Sequence, residues 1–294
     1  MKRIAYKIVK VFACLLPKGA PEYIYTSLLK PKRLKSIVNI LLTVIMPETV
    51  KINDSIVALN KRDPVVSGAL MLGVYETFEA LQIQKKLKPG MVAIDIGANI
   101  GYYTAMAAKS VGHSGKVFAF EPDPENFSFL KKTVALNQFQ NVECNRIGIS
   151  NSEGRGQLYL SPENMGDHRI YTSPAGRQSI EIEMMSIDFF MKKNGLQRVD
   201  LIKMDIQGAE GLAIQGMRKV IADNPHIKMF TEFWPQGIER TGLSPSSILR
   251  TIEEMGFKIF MINKKNGDLE PVQDFNIFAN NFRGREYVNL YCEK

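Results

Sequence analysis

The chain changes rhythm near residue 75. Ahead of it, apolar residues recur at helical spacing in short runs broken at Pro17, Pro21, Pro31, Pro47 and Pro64. That pattern predicts several short helices joined by proline turns. Beyond it, two kinds of block alternate. "MVAIDIG", "KVFAFEP", "NVECNRIGIS", "VDLIKMDI", "HIKMFTEFW" and "FKIFMIN" are short apolar runs with the length of buried strands. "ETFEALQIQKKL", "NIGYYTAMAAKS", "PENFSFLKKTVALNQ", "GAEGLAIQGMRKVIAD" and "SPSSILRTIEEM" have helical spacing between them. "GQLYL" and "SIEIEMMSI" predict an inserted hairpin, and "YVNLYCEK" a last strand. Alternating strands and helices predict an α/β fold: a doubly wound, mostly parallel seven-strand sheet with helices on both faces. The expected division is a helical extension over 1–74 and the sheet domain over 75–294.

Such sheets bind ligands beyond the carboxyl ends of their strands, at the point where strand order reverses. Asp95, Glu121, Asp205 and Glu232 all fall at strand ends. In "DIGANIG", Gly97 and Gly101 flank a tight strand-to-helix turn, and Asn99 stands where a dinucleotide fingerprint has its middle glycine. Asp95 precedes the turn. A pyrophosphate would be repelled by that carboxylate, whereas the sulfonium and ammonium of S-adenosylmethionine would be attracted. Glu121, 20 residues beyond Gly101, suits the two hydroxyls of a ribose. In "ISNSEG", Asn151 or Ser150 is a candidate for the adenine edge, with an ordinary turn as the alternative.

"KPGMVAIDIGANIGYYTAMAA", "GKVFAFEPDPENFSFLKKTVALN" and "VDLIKMDIQGAE" together resemble the FkbM-type family of S-adenosylmethionine-dependent methyltransferases, over about residues 75–235. The resemblance implies a Rossmann-like class I methyltransferase domain and O-methyl transfer, often to sugar or polyketide hydroxyls. It also implies a cofactor role for the D-x-G-A-N-x-G-Y-x-T turn, which adds Tyr103 and Thr104 to Asp95, Gly97, Asn99 and Gly101. The family's usual acid before Gly-Ala-Glu is Glu; here it is Gln207.

An alcohol acceptor must lose its proton, which calls for a base near the sulfonium. The expected catalytic residues are Asp205, Glu232 and His168, the last in a polar insertion over 161–177 long enough to cover a site. Asp205 and Glu210 both have a helix-capping or dipole role as the alternative. Lys203 is placed to pair with either acid, Arg169 to bind an anionic acceptor, and Phe233 and Trp234 to stack on a ligand or fill the core. Asp167, His168, Asp205 and Glu232 include metal-ligating types, but their spacing calls for no metal.

The net charge of +8 is confined to one end. Residues 1–62 carry twelve Lys/Arg against three Asp/Glu, and the remainder carries 26 against 27. In "RIAYKIVKVF", Ile4, Ile8, Val11 and Phe12 share a helical face. The basic end reads as a solvated cap or as a surface for an anionic membrane or a phosphate-linked acceptor. No aromatic interleaving suggests nucleic acid. The expected partner is a small-molecule or glycan acceptor. Cys14, Cys144 and Cys292 form no metal spacing and fit a reducing compartment, so the cytoplasm, at most the inner membrane face, is the expected location. Two rival readings remain: a nicotinamide-dependent oxidoreductase on a similar sheet, and a non-catalytic membrane-associated scaffold.

Overall fold

The computed structural model describes residues 32–162, 164–172 and 176–294. The amphipathic helix expected at the start of the chain lies outside these residues. The first described helix, α1 (Lys32–Ile45), buries Leu42 and turns Ile40, Leu41 and Val44 to solvent. No described helix is long and apolar enough to cross a membrane.

The helical expectation for residues 1–74 holds at α1 and again at Val66–Leu72, and fails between them. Strands β1 (Thr49–Ile52) and β2 (Ser55–Ala58) form an antiparallel hairpin. Its two-residue turn, Asn53 and Asp54, has φ of 47° and 64°. Two left-handed residues match the right-handed twist of the flanking strands, and Asn and Asp tolerate that region best after Gly. Side chains of the later helix α5 (Pro124–Leu136) and its C-cap satisfy the edge of β2: Ala58 N donates to Thr133 Oγ1, and Ile56 N to Asn137 Oδ1. Val50, Val57, Leu59 and Leu70 therefore share one core cluster with Ile100, Tyr103 and Phe230 of the sheet domain.

Helices α2 (Val66–Leu72) and α3 (Thr77–Lys86) lead into the sheet. Its parallel part comprises β3 (Val92–Ile96), β4 (Lys116–Phe120), β5 (Val142–Asn145), β9 (Leu201–Met204) and β10 (Lys228–Phe233). The crossovers include α4 (Tyr102–Val111), α5, α6 (Ile187–Lys193), α7 (Glu210–Gln215) and α8 (Arg218–Asp223). After α9 (Pro235–Arg240) and α10 (Pro245–Glu254) come β11 (Lys258–Ile262), β12 (Leu269–Pro271), α11 (Phe275–Asn280) and β13 (Val288–Glu293).

The strand order is β12-β11-β13-β10-β9-β3-β4-β5, with β13 antiparallel to both neighbours. All seven expected strands are present. The eighth, β12, is a three-residue edge strand whose sequence "LEP" carries no alternation to read. "NVECNRIGIS" divides: β5 stays in the main sheet, while β6 (Gly148–Ile149) joins the inserted hairpin of β7 (Gly154–Tyr159) and β8 (Ser179–Met185). Chain order runs outward from β3 through β4 to β5, then returns to place β9 on the other side of β3. The reversal lies between the ends of β3 and β9.

Candidate active site

The two strand ends at the reversal are locked together. Asp205 N donates to Ile96 O at 3.0 Å, and Gly97 N and Ala98 N donate to Phe120 O at 3.0 and 2.9 Å. Gly97 has φ of 78°, and a Cβ placed there would sit 2.0 Å from Asp205 O. Only glycine permits this approach. Gly101 is required for a different reason. Its φ is 89°, and a Cβ would meet Leu130 Cδ1 at 2.9 Å, so it packs α4 onto α5 rather than admitting a ligand.

Above this junction lies a cavity of about 330 Å³. Of the expected site residues, Gly97, Asn99, Tyr103, Glu121, His168, Asp205 and Glu232 line it. Asp95, Gly101 and Thr104 do not. Asp95 is 3% exposed and its Oδ2 accepts from Thr104 Oγ1 at 2.5 Å. Burial raises its pKa, and the Lys203 ammonium across the strand pair opposes that rise. The charge expected to face the cofactor is thus spent behind the wall. Asn151 is also misplaced by the sequence reading: its amide donates to Gln215 Oε1 at 2.9 Å, away from the cavity.

Glu121 is the best-defined binding group. Its Oε2 accepts from Asn99 N at 2.8 Å and its Oε1 from Asp123 N at 3.0 Å. Both bonds favour the carboxylate, but burial outweighs them and lifts its pKa to about 8. Asn99 Oδ1 and Asn126 Oδ1, on residues lining the same cavity, are buried without a hydrogen-bond partner among the described residues. Buried polar atoms cost about 1–3 kcal/mol when unpaired. A carboxylate beside unpaired amide oxygens fits a ligand rich in donors, such as the ribose and amino groups of an adenosyl cofactor.

On the opposite wall, Gln207 donates from Nε2 to Asp205 Oδ1 at 2.8 Å and to Glu232 Oε2 at 3.3 Å. The two acids on neighbouring strand ends are thereby joined through one amide. Burial first, then repulsion from Asp205 and Glu210, raises Glu232 well above the carboxylate range. Glu210 turns out to organise the loop. Its Oε1 and Oε2 each accept at 2.9 Å, from Ile206 N and Gly208 N. Asp205, Glu210 and Glu232 offer oxygens within 4.8 Å of one another, a metal-like grouping that the spacing did not suggest. Glu210 spends both oxygens on the loop. Lys203 stands 3.7 Å from Asp205 Oδ2 and 4.4 Å from the Tyr103 ring centroid. Burial alone would lower its pKa; Asp205, Asp95, Glu79 and Glu76 together outweigh burial and raise it.

His168 does not suit the role of base. Its Nδ1 accepts from Ser161 N at 2.9 Å, and its Nε2 faces Asp123 Oδ2 at 3.8 Å. Burial depresses its pKa, yet the lone pair a base would use is already engaged. Its insertion does cover the site: Met165, Asp167, Arg169 and Ile170 line the cavity, and Tyr171 OH donates to Gln207 O at 2.7 Å.

Among the described residues six non-glycine positions have left-handed backbones, and three of them, Glu76, Asn99 and Gln207, line this cavity. Strained conformations concentrate where a site is over-determined by its surroundings. Glu76 went unread in the sequence because it lies inside a helical pattern; it caps α3 with φ of 41° and accepts from Tyr103 OH at 2.8 Å.

A sequence model of the Methyltransferase FkbM domain matches residues 95–259, more than half of the chain. The chain belongs to the FkbM methyltransferase family. It is 24% identical over 196 residues to "Methyltransferase sdnD" of Sordaria araneosa, covering 56% of this chain and 73% of that protein. It is 25% identical over 198 residues to "2-O-methyltransferase NoeI" of Sinorhizobium fredii, covering 60% and 79%. Among solved structures, an FkbM methyltransferase from Methylobacillus flagellatus aligns over 90% of this chain and 60% of that one, with 15% identity and a TM-score of 0.43. This FkbM-family chain is a methyltransferase whose cofactor is S-adenosylmethionine, so the oxidoreductase reading falls.

Proposed function

We propose that the chain transfers a methyl group to a hydroxyl of a sugar, glycan or secondary metabolite. The observation that carries this reading is the Asp205–Gln207–Glu232 arrangement on the cavity wall facing Glu121 and Asn99. Bound, the cofactor supplies a methyl group already activated on a sulfonium. The residues then have two tasks. Glu121, Asn99 and the Gly97 turn hold the adenosyl part. Asp205 would take the proton from the acceptor hydroxyl as that hydroxyl oxygen takes up the methyl group. Gln207 fixes the Asp205 carboxylate by its Oδ1, and Lys203 compensates its charge from behind. Glu232, with its raised pKa, keeps its proton and presents a second polar contact to the acceptor. The name of NoeI, a 2-O-methyltransferase, supports transfer to oxygen. Mass spectrometry of metabolites and glycans from a strain lacking the protein tests the reading. The expected result is a species lighter by one CH2 at an ether oxygen; a change confined to N-methyl species would overturn it.

A further inference from the structure

We propose that the acceptor end of the cavity receives an oxyanion, a carboxylate or phosphate carried by the methyl acceptor, between Arg169 and Arg285. This deepens the methyltransferase reading and, for the word acceptor, rests on it.

Asp167, 6% exposed, is surrounded by three guanidinium groups. Its Oδ1 accepts from Arg169 Nε and Nη2 at 2.9 and 2.5 Å. Its Oδ2 accepts from Arg177 Nη2 at 2.6 Å, and its carbonyl accepts from Arg177 Nη1. Two arginines thus satisfy this carboxylate. Arg285 Nη2 stands off at 4.0 Å from Oδ2, surplus to it. Arginine cannot shed its proton, so among the described residues this one carboxylate leaves two positive charges uncompensated. The other acids lining the cavity among the described residues are engaged elsewhere: Glu121 with backbone N–H groups, Asp205 and Glu232 with Gln207, and Glu76 with Tyr103.

The two proposed receptors differ in a useful way. Arg169 is 2% exposed, lines the cavity, and lies 4.7 Å from the centroid of the Trp234 ring, which fixes its plane. Arg285 reaches the same cavity from its mouth with a side chain 78% exposed. An inner buried cation and an outer exposed one suit an anion that enters with the acceptor and is then held by charge-assisted hydrogen bonds. A purely structural ion network needs Arg169 and Arg177 alone.

Calorimetric titration of the full chain with three hexopyranose probes tests this: glucose 1-phosphate, glucuronate and neutral methyl glucoside, with and without S-adenosylhomocysteine. One of the two anionic probes is expected to bind at least about tenfold tighter than the neutral one, the size of one charge-assisted contact. Arg285→Gln should remove that advantage. Arg240→Gln serves as the control for diffuse charge, because Arg240 lies 5.8 Å from the same ring without lining the cavity. Which anion binds separates carboxylate from phosphate. Equal or absent binding of all three probes overturns the proposal, as does an unchanged Arg285→Gln or an equal loss in Arg240→Gln. Loss of homocysteine-cofactor binding with anion preference intact would sink the methyltransferase reading instead.

Discussion

Glu121 makes cofactor affinity depend on pH in a direction the structure dictates. Burial places its pKa at about 8, against 4.5 for an exposed glutamate. Ribose hydroxyls donate, and so favour the ionised acceptor. At pH 6 about 1% of the apo protein carries Glu121 as carboxylate, and at pH 8 about half does. Affinity for S-adenosylhomocysteine should therefore rise about fiftyfold between pH 6 and 8, about 2 kcal/mol, then level off. Binding near pH 6.5 should release close to one proton, visible by calorimetry in two buffers of different ionisation enthalpy. The sign for stability is opposite. The folded pKa lies above the unfolded one, so from about pH 4.5 to 8 the folded chain holds a proton that the unfolded chain has lost. Apo stability then falls with rising pH by at most about 1.4 kcal/mol per unit from this group. Glu121→Gln should flatten both slopes. Wild-type affinity that stays level from pH 6 to 8, or an equal slope in Glu121→Gln, would refute the reasoning.

Gly97→Ala forces a Cβ into the Asp205 carbonyl from a left-handed backbone. It should cost about 2 kcal/mol or more of stability by denaturant unfolding and abolish cofactor binding in what remains folded. Asn99→Gly relieves a left-handed residue and removes an unpaired buried oxygen. Its melting temperature should hold or rise while cofactor affinity drops about tenfold, an outcome that a purely structural Asn99 would not give. Gln207→Glu replaces the amide that donates to Asp205 and Glu232 with a third acid. It should destabilise by about 2–4 kcal/mol at pH 8 and much less at pH 5. Burial raises a carboxyl here, as it does Glu232, so the penalty appears only as pH climbs above the unfolded carboxylate range.

The central parallel strands β3, β4, β9 and β10 were legible because each is an almost wholly buried apolar run, and burial on both faces leaves no other pattern; β5, half-buried at the sheet edge, carries a weaker one. The β1–β2 hairpin was not, since its turn is Asn53-Asp54 rather than a glycine turn and prolines dominate its surroundings. The same limit shaped the site. The strand-end rule placed Glu121, Asp205 and Glu232 correctly on one cavity. A motif marks a loop but not the direction of each side chain, and so Asp95 and Thr104 pair behind the wall while Gly101 serves helix packing. Glu76, Asn126 and Arg285 come from segments far apart in sequence, and only folding brings them together. His168 was found in the right insertion, yet its Nδ1 is claimed by a backbone N–H that no sequence pattern reveals.

The central claim, proton removal by Asp205 during methyl transfer to oxygen, is tested most directly by deuteromethyl transfer with wild-type and Asp205→Asn protein on the same acceptor fraction. The side chain keeps its size in that variant, and its melting temperature should move by only a few degrees. The account predicts a labelled methyl ether with the wild type and a rate lower by about 100-fold or more with Asp205→Asn. Label on nitrogen, or a rate that falls no further than stability does, would contradict it.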